Sequence, residues 1–492
     1  MLPRVALYVL LVLTSASISA ADLPHSVSSA LRAAGIPPGS AAVLVQEVGS
    51  AVPELAFRAH ASMNPASTMK IVTTFSALEL LGPAFRWKTE AFVDGDTLYL
   101  RGRGDPKLTY EGFWMLLRAL RSRGLKDLRD VVLDRSYFAQ TPNERIDDET
   151  FRPYNVPPDP LLLNFKSVRF VFIPQPAQGT VRVFAEPALP GFRIENALKL
   201  VEGACPEGRA FRDLIQAAFQ SRPPRAAFTG AYPAACGEKD LNVALHSPED
   251  YLEGMLRQLW TEMGGTWSGA LRDGVVPPTA TLVYTRESEP LAEAVRDINK
   301  FSNNVMARQL FLTLGAELLG PPATTANSAS AVRQWLTFKG IRAPELVLEN
   351  GSGLSRVERI SVSSLAAVLQ AAWKSPMMPE FVSSLPVVAA DGTMKKRLHG
   401  ERVAGSAHIK TGLLNDARAI AGYVLDRRGR RHVVVMIVNH PKAPEADAAM
   451  DALLAWTYDA PRSPAGAAGK AAAATGPASS TARPPGASPA RP

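Results

Sequence analysis

The chain has 492 residues, 46% hydrophobic and 20% charged, which is enough for about three domains with cores and excludes a small disulfide- or metal-stapled scaffold. Its 40 prolines exceed the usual share of about 5%, but the apolar content excludes wholesale disorder. Of the net charge of +8, Arg4 supplies one unit and Arg462, Lys470, Arg483 and Arg491 supply four, which leaves +3 for the body. That bias is too diffuse to predict nucleic-acid or acidic-lipid binding.

Residues 1–21 carry Arg4, an apolar run over 5–13 and small residues at Ser19, Ala20 and Ala21, the pattern of a secretory leader cleaved after Ala20 or Ala21. Polar residues follow at once, which disfavours an uncleaved anchor. No later segment holds about 18 consecutive apolar residues, so the mature chain is expected to have no transmembrane segment.

Residues 41–48 and 55–60 read as a strand pair, followed by an amphipathic helix over 67–81 with Ile71, Val72, Phe75, Leu78 and Leu81. Ser67 and Lys70 stand three apart at its start, on one face and in the positive field of the helix N-terminus. A lysine so placed activates a serine; the plainer alternative is a capping Ser67 and a solvated Lys70.

Residues 87–101, 110–121 and 128–134 read as strands, helix and strand, and the proline-rich stretch 153–160 marks a boundary. Residues 165–238 alternate short β-like runs with Pro and Gly and hold the only cysteines, Cys205 and Cys236. In an exported chain these are expected to form one disulfide rather than two buried thiols. With two cysteines and 7 scattered histidines, a metal site has no support. Residues 249–263 are helical again.

Two helical runs, 291–300 and 305–314, are separated by Ser302-Asn303-Asn304. A hydroxyl and a carboxamide two apart suit proton relay and peptide orientation, although both are common caps and Ser62-Met63-Asn64 fits the same pattern. Lys410-Thr411-Gly412 ends the strand-like run 407–409. A cation, a hydroxyl and a glycine on an edge strand can anchor a carboxylate and let a substrate backbone lie close; the alternative is an ordinary turn. Residues 417–425 and 431–439 form a hairpin whose tip holds Arg427, Arg428, Arg430 and Arg431, read as solvated, and 444–458 form a helix. The two chain ends are expected to share one sheet. Residues 461–492 lack apolar bulk and read as a disordered tail.

Taken in order, Ser67-x-x-Lys70, Ser302-x-Asn304 and Lys410-Thr411-Gly412 are the set of penicillin-recognising serine enzymes. With Gly102-Arg103-Gly104-Asp105-Pro106-Lys107-Leu108, Asn350-Gly351-Ser352-Gly353-Leu354-Ser355-Arg356, Asp391-Gly392-Thr393 and Ala421-Gly422-Tyr423, they make the chain resemble the class C low-molecular-mass penicillin-binding proteins. These are D-alanyl-D-alanine carboxypeptidases and endopeptidases of peptidoglycan, and the resemblance covers roughly residues 25–460. The long segment between Lys70 and Ser302 separates the chain from β-lactamases.

The resemblance implies an α/β (α+β) fold: a penicillin-binding catalytic domain over 22–85 and 285–460, an inserted α/β domain over 86–160 and 240–284, and a mostly β domain over 161–239. It implies Ser67 as nucleophile, Lys70 as base, Ser302 and Asn304 as proton relay and peptide guide, and Lys410, Thr411 and Gly412 as the substrate strand. The backbone N–H groups of Ser67 and Leu413 would form the oxyanion hole. It further implies no cofactor, no nucleic-acid partner, peptidoglycan stem peptides as substrate, β-lactam antibiotics as covalent inhibitors, and a periplasmic location. A secreted β-lactamase and a non-catalytic wall-binding protein are the competing readings. Two departures stand out: Asn303 where Asp is frequent, and Leu413 where a hydroxyl is frequent, whose loss is expected to weaken the grip on a carboxylate.

Overall fold

The computed structural model describes residues 22–139, 151–206 and 208–459. The leader read at 1–21 and the tail read at 461–492 lie outside the described residues. Val433 to Val438 form an unbroken apolar run, so a strand there must be covered on both faces. Val433, Val435 and Ile437 join one core, and Val434, Met436 and Val438 join another. The strand Arg431–Asn439 pairs antiparallel with Ala417–Leu425 on one side and Ala41–Glu47 on the other. Ala407–Leu413 and Leu55–Phe57 complete this five-stranded sheet at its two edges, so segments from both ends of the described chain meet in it.

The helices His25–Ala33 and Asp447–Asp459 cover one face through Val27, Leu31, Leu453 and Leu454. The helices Lys70–Leu81, Leu291–Phe301, Asn304–Leu319, Thr325–Phe338 and Val362–Lys374 cover the other. The Lys70–Leu81 helix departs from the amphipathic expectation, because every residue from Lys70 to Leu78 is buried. Its hydroxyl residues mimic a solvated face in sequence, but each is satisfied by a carbonyl: Thr73 donates to Gly351, Thr74 to Lys70 and Ser76 to Thr73. The hairpin tip is also corrected. Only Arg427 and Arg428 are exposed there, while Arg430 bridges Asp426 at 2.8 Å and Glu47 at 3.5 Å, and Arg431 lies over the Trp373 ring. Buried Asp426 needs partners and draws the tip inward.

At the far edge of this unit Trp87 and Ser288 exchange two hydrogen bonds, which pin the outgoing and returning chain together. Between them a second, mixed sheet runs Leu271–Asp273, Val131–Asp134, Thr97–Gly102, Lys88–Asp94, Thr281–Glu287. Its core includes residues of the helices Tyr110–Ser122 and Pro248–Glu262, which Thr109 and Ser247 cap by accepting from Gly112 N and Asp250 N. Two three-stranded sheets follow, Lys239–Val243 with Val168–Gln175 and Thr180–Glu186, and Ile215–Gln220 with Arg225–Pro233 and Arg193–Val201. Phe170, Phe172, Phe228 and Tyr232 fill the space between them, and Cys205 and Cys236 are joined by a disulfide beside that cluster.

One contact matters for the site. The buried Gln309 amide accepts from Asp159 N at 2.9 Å and donates to Asp159 O at 2.8 Å, so the proline-rich 153–160 segment is tied to the helix that begins at Asn304. The architecture is mixed α and β, as the resemblance implies. Among the described residues no helix is long and apolar enough to cross a membrane.

Candidate active site

Ser67 sits in the single 3-10 turn Ala66–Met69 that leads into the Lys70–Leu81 helix. Ala66 adopts φ 47, a left-handed conformation that a non-glycine residue keeps only when its surroundings hold it. They do so through Asn64, whose Oδ1 accepts from Ala66 N at 2.9 Å, while Asn64 N donates to Asn439 Oδ1 and Asn64 Nδ2 to Ser355 O. The second Ser-x-Asn match in the sequence therefore buttresses the turn. Gly353 and Gly412 press on the same turn: a Cβ at Gly353 would collide with the Ala66 carbonyl, and one at Gly412 would lie 3.0 Å from Ser67 N.

Lys70 is 0% exposed, and its Nζ lies 2.9 Å from Ser67 Oγ, 2.5 Å from Asn304 Oδ1 and 2.5 Å from Ser352 O. Burial holds its pKa well below 10.5, the Lys410 cation lowers it further, and Glu358 acts in the opposite direction. A neutral amine has two hydrogens, which match the two acceptors that carry none, Asn304 Oδ1 and Ser352 O. Its lone pair is then left for the Ser67 hydroxyl.

Ser302 closes the Leu291–Phe301 helix in a left-handed conformation, φ 56. Asn303 caps the next helix by accepting from Met306 N at 3.0 Å. Asn and Asp cap about equally well, so the departure at 303 does not alter this contact. The strand Ala407–Leu413 brings Lys410 Nζ to 2.8 Å from Ser302 Oγ, and burial lowers the Lys410 pKa to about 7. Thr411 Oγ1 pairs with Thr393 Oγ1 at 2.8 Å, Gly412 faces the Ser67 turn, and the Leu413 side chain is 54% exposed at the strand end. Ser67, Lys70, Ser302, Asn304, Lys410, Thr411 and Gly412 thus converge, Leu413 lies at the rim, and the disulfide-joined cysteines follow the strands Arg193–Val201 and Arg225–Pro233.

Three residues of this arrangement were not singled out from sequence. Ser352 contributes only its carbonyl, and Thr393 only a hydroxyl, both within stretches whose resemblance was noted without a role. Glu358 lies between Val357 and Arg359 with no local signal to distinguish it from a solvated acid. It is fully buried, and one oxygen accepts from Glu349 N, Asn350 N and Gly351 N at 3.1, 3.0 and 2.9 Å, which fixes the loop that presents Ser352 O to Lys70. Burial raises its pKa, partly offset by those three N–H groups. Glu358→Ala leaves the three donors unpaired and is expected to destabilise the fold by about 3 kcal/mol or more, with Glu358→Gln milder, as read by urea unfolding.

A cavity of about 960 Å³ opens beside Ser302, Asn304 and Val305, and its opposite wall includes Tyr154, Phe165 and Arg169. Asn164 and Phe165 in that wall have φ 46 and 54, and Asn164 Nδ2 donates to Tyr251 OH at 3.1 Å. Such volume alongside Ser302 and Asn304 admits a peptide.

The sequence family described as the D-Ala-D-Ala carboxypeptidase 3 (S13) family matches residues 23–458. A D-alanyl-D-alanine carboxypeptidase of Actinomadura sp. (strain R39) is 27% identical over 418 residues, 80% of this chain and 76% of that protein. The D-alanyl-D-alanine carboxypeptidase DacB of Haemophilus influenzae is 24% identical over 403 residues, 77% of this chain and 80% of its own length. The crystal structure of penicillin binding protein 4 from Haemophilus influenzae superposes with a TM-score of 0.71 at 22% identity, covering 88% of this chain and 99% of that one. A second structure of the same protein, complexed with a novel β-lactam, gives 0.67 at 22% identity over 84% of this chain and 93% of that one.

Proposed function

Because the chain belongs to the D-Ala-D-Ala carboxypeptidase 3 (S13) family of serine carboxypeptidases, we propose that it hydrolyses D-alanyl-D-alanine termini or D-alanyl cross-links of peptidoglycan through an acyl-enzyme on Ser67. The observation that carries this reading is the buried Lys70 amine 2.9 Å from Ser67 Oγ, biased toward its neutral form. Lys70 takes the hydroxyl proton as Ser67 Oγ attacks the carbonyl carbon between the two D-alanines. Negative charge collects on the carbonyl oxygen, beside the backbone N–H groups of Ser67 and Leu413, so the side chain at 413 is not needed for that task. Ser302 passes a proton to the departing amine as the C–N bond breaks and is re-protonated by the Lys410 ammonium that donates to it, while the Asn304 amide orients the peptide. Water then adds to the acyl carbon, its proton passing through Ser302 to restore Lys410, and the ester C–O bond breaks as Ser67 Oγ takes back the proton from Lys70. Lys410 and Thr411 hold the terminal carboxylate.

The same proposal includes penicillin as a covalent inhibitor, stem peptides in the cavity beside Ser302, the division into a catalytic domain over 22–85 and 285–460, an inserted domain over 86–160 and 240–284 and a mostly β domain over 161–239, and export to the periplasm. Incubation with an acyl-D-alanyl-D-alanine peptide is expected to release one D-alanine per turnover, and benzylpenicillin to leave a persistent adduct in the intact mass. Antibiotic consumed without an adduct would point to a β-lactamase. Neither product would point to a wall-binding protein.

Gly412→Ala tests the contact between the substrate strand and the nucleophile turn. Its Cβ would sit 2.8 Å from Pro65 O and 3.0 Å from Ser67 N, so strand and turn must separate by a few tenths of an ångström. We expect acylation by benzylpenicillin to slow about 10- to 100-fold, by misplacement of a reacting group. Stability is expected to fall by about 1–3 kcal/mol, as for overpacking. Unchanged acylation would mean that the strand does not set the Ser67 geometry.

A further inference from the structure

Leu413 leaves the substrate strand without the hydroxyl expected at its end, yet the carboxylate end of the site is not short of hydroxyls. Thr393 lies in the Gly392–Met394 turn, and its Oγ1 is 2.8 Å from Thr411 Oγ1. Two hydroxyls that share one hydrogen bond use one of their two hydrogens, so one hydrogen remains for an incoming acceptor whichever of them donates. Among the described residues neither hydroxyl has a further side-chain partner. Thr411 is 8% exposed and Thr393 is exposed, so the free end of the pair faces the open side.

The turn that carries Thr393 is built into the site. Asp391 Oδ2 accepts from Lys300 Nζ at 2.7 Å, and Lys300 also donates to Leu385 O at 2.7 Å. Asp391 Oδ1 accepts from Val387 N at 2.8 Å. Gly392 has φ 54, and a Cβ there would lie 2.6 Å from the Lys300 carbonyl, so the turn is seated directly against the helix end that leads into Ser302. Thr393 is thereby held against both the helix end that leads into Ser302 and the strand that carries Lys410 and Thr411.

We propose that Thr393 is a substrate-binding residue of this chain, whose hydroxyl acts with Thr411 to bind the terminal carboxylate in the role that Leu413 cannot perform; this rests on the carboxypeptidase reading given above. A hydrogen bond to a charged carboxylate contributes enough for its loss to weaken binding about 10- to 100-fold.

The test measures hydrolysis of an acyl-D-alanyl-D-alanine peptide beside the same peptide with a C-terminal amide. Thr393→Val is expected to raise KM for the free acid about 10- to 100-fold with kcat changed far less, and to leave the amide unaffected. Thr393→Ser is expected to keep the wild-type KM, and Leu413→Thr added to Thr393→Val to recover most of the loss. Wild type that is active while Thr393→Val keeps its KM would overturn the proposal alone. So would an equal loss on acid and amide, which marks a structural defect. Wild type that neither releases D-alanine nor forms a penicillin adduct would sink the carboxypeptidase reading and this proposal together.

Discussion

Ser67→Ala is expected to lower D-alanine release by about 10⁴-fold or more and to abolish the benzylpenicillin adduct in the intact mass. The size follows from the role: with no nucleophile there is no acyl-enzyme, and binding with oxyanion stabilisation alone leaves only a small residue of catalysis. The variant is expected to stay folded. The left-handed Ala66 turn is held by Asn64 and packed by Gly353 and Gly412, none of which needs the Ser67 hydroxyl. The one side-chain hydrogen bond lost is that with Lys70, which keeps Asn304 Oδ1 and Ser352 O. Thermal unfolding of the variant should therefore match wild type within a few degrees. An adduct that persists in Ser67→Ala would assign the nucleophile elsewhere.

Lys70→Arg is expected to cost about 10³-fold in acylation, the middle of the range for loss of a general base. Arginine stays charged at any pH the protein tolerates, so it has no lone pair for the Ser67 proton. The pH dependence carries the sharper test. A base must be neutral, so wild-type kcat/KM should rise with pH as Lys70 loses its proton, at a pH well below 10.5 because burial and the Lys410 cation both favour the neutral amine. Lys410 must be charged to hold a carboxylate, so the same quantity should fall as pH climbs past about 7, where the buried Lys410 of the free site gives up its proton. The two amines share one pocket and titrate as a pair, giving a bell-shaped profile. Lys70→Arg should erase the acid limb and leave the alkaline one. A profile unchanged in shape would remove Lys70 from the role of base.

Much of the catalytic constellation is a local property of the chain. Ser67 and Lys70 three residues apart share a helix face under any packing. Asn303 caps its helix by its position before Asn304, and the unbroken apolar run Val433 to Val438 dictates a strand covered on both faces. The order of these segments carried the resemblance, and with it the fold class and the reaction class. Periodicity misled where a polar residue was satisfied internally: Thr73, Thr74 and Ser76 look like a solvated face and are buried, and Arg430 and Arg431 look like a solvated tip and are paired.

What the sequence could not decide is the environment that favours the neutral amine of Lys70. Lys70 meets Asn304 across 234 residues and the Ser352 carbonyl across 282, and the helices that bury it are scattered along the chain. Desolvation depends on all neighbours in space at once, which no local spacing encodes. The same holds for Glu358, whose function is to satisfy three backbone donors in a loop, and for Thr393, which reaches Thr411 only because Lys300 anchors its turn. The sequence by itself determined which residues the proposed chemistry uses and in what order they come. Tertiary structure alone decided that both amines are disfavoured as cations, which two oxygens accept from Lys70 and which hydroxyl lies beside Thr411, because burial, field and hydrogen-bond geometry are properties of the packed core.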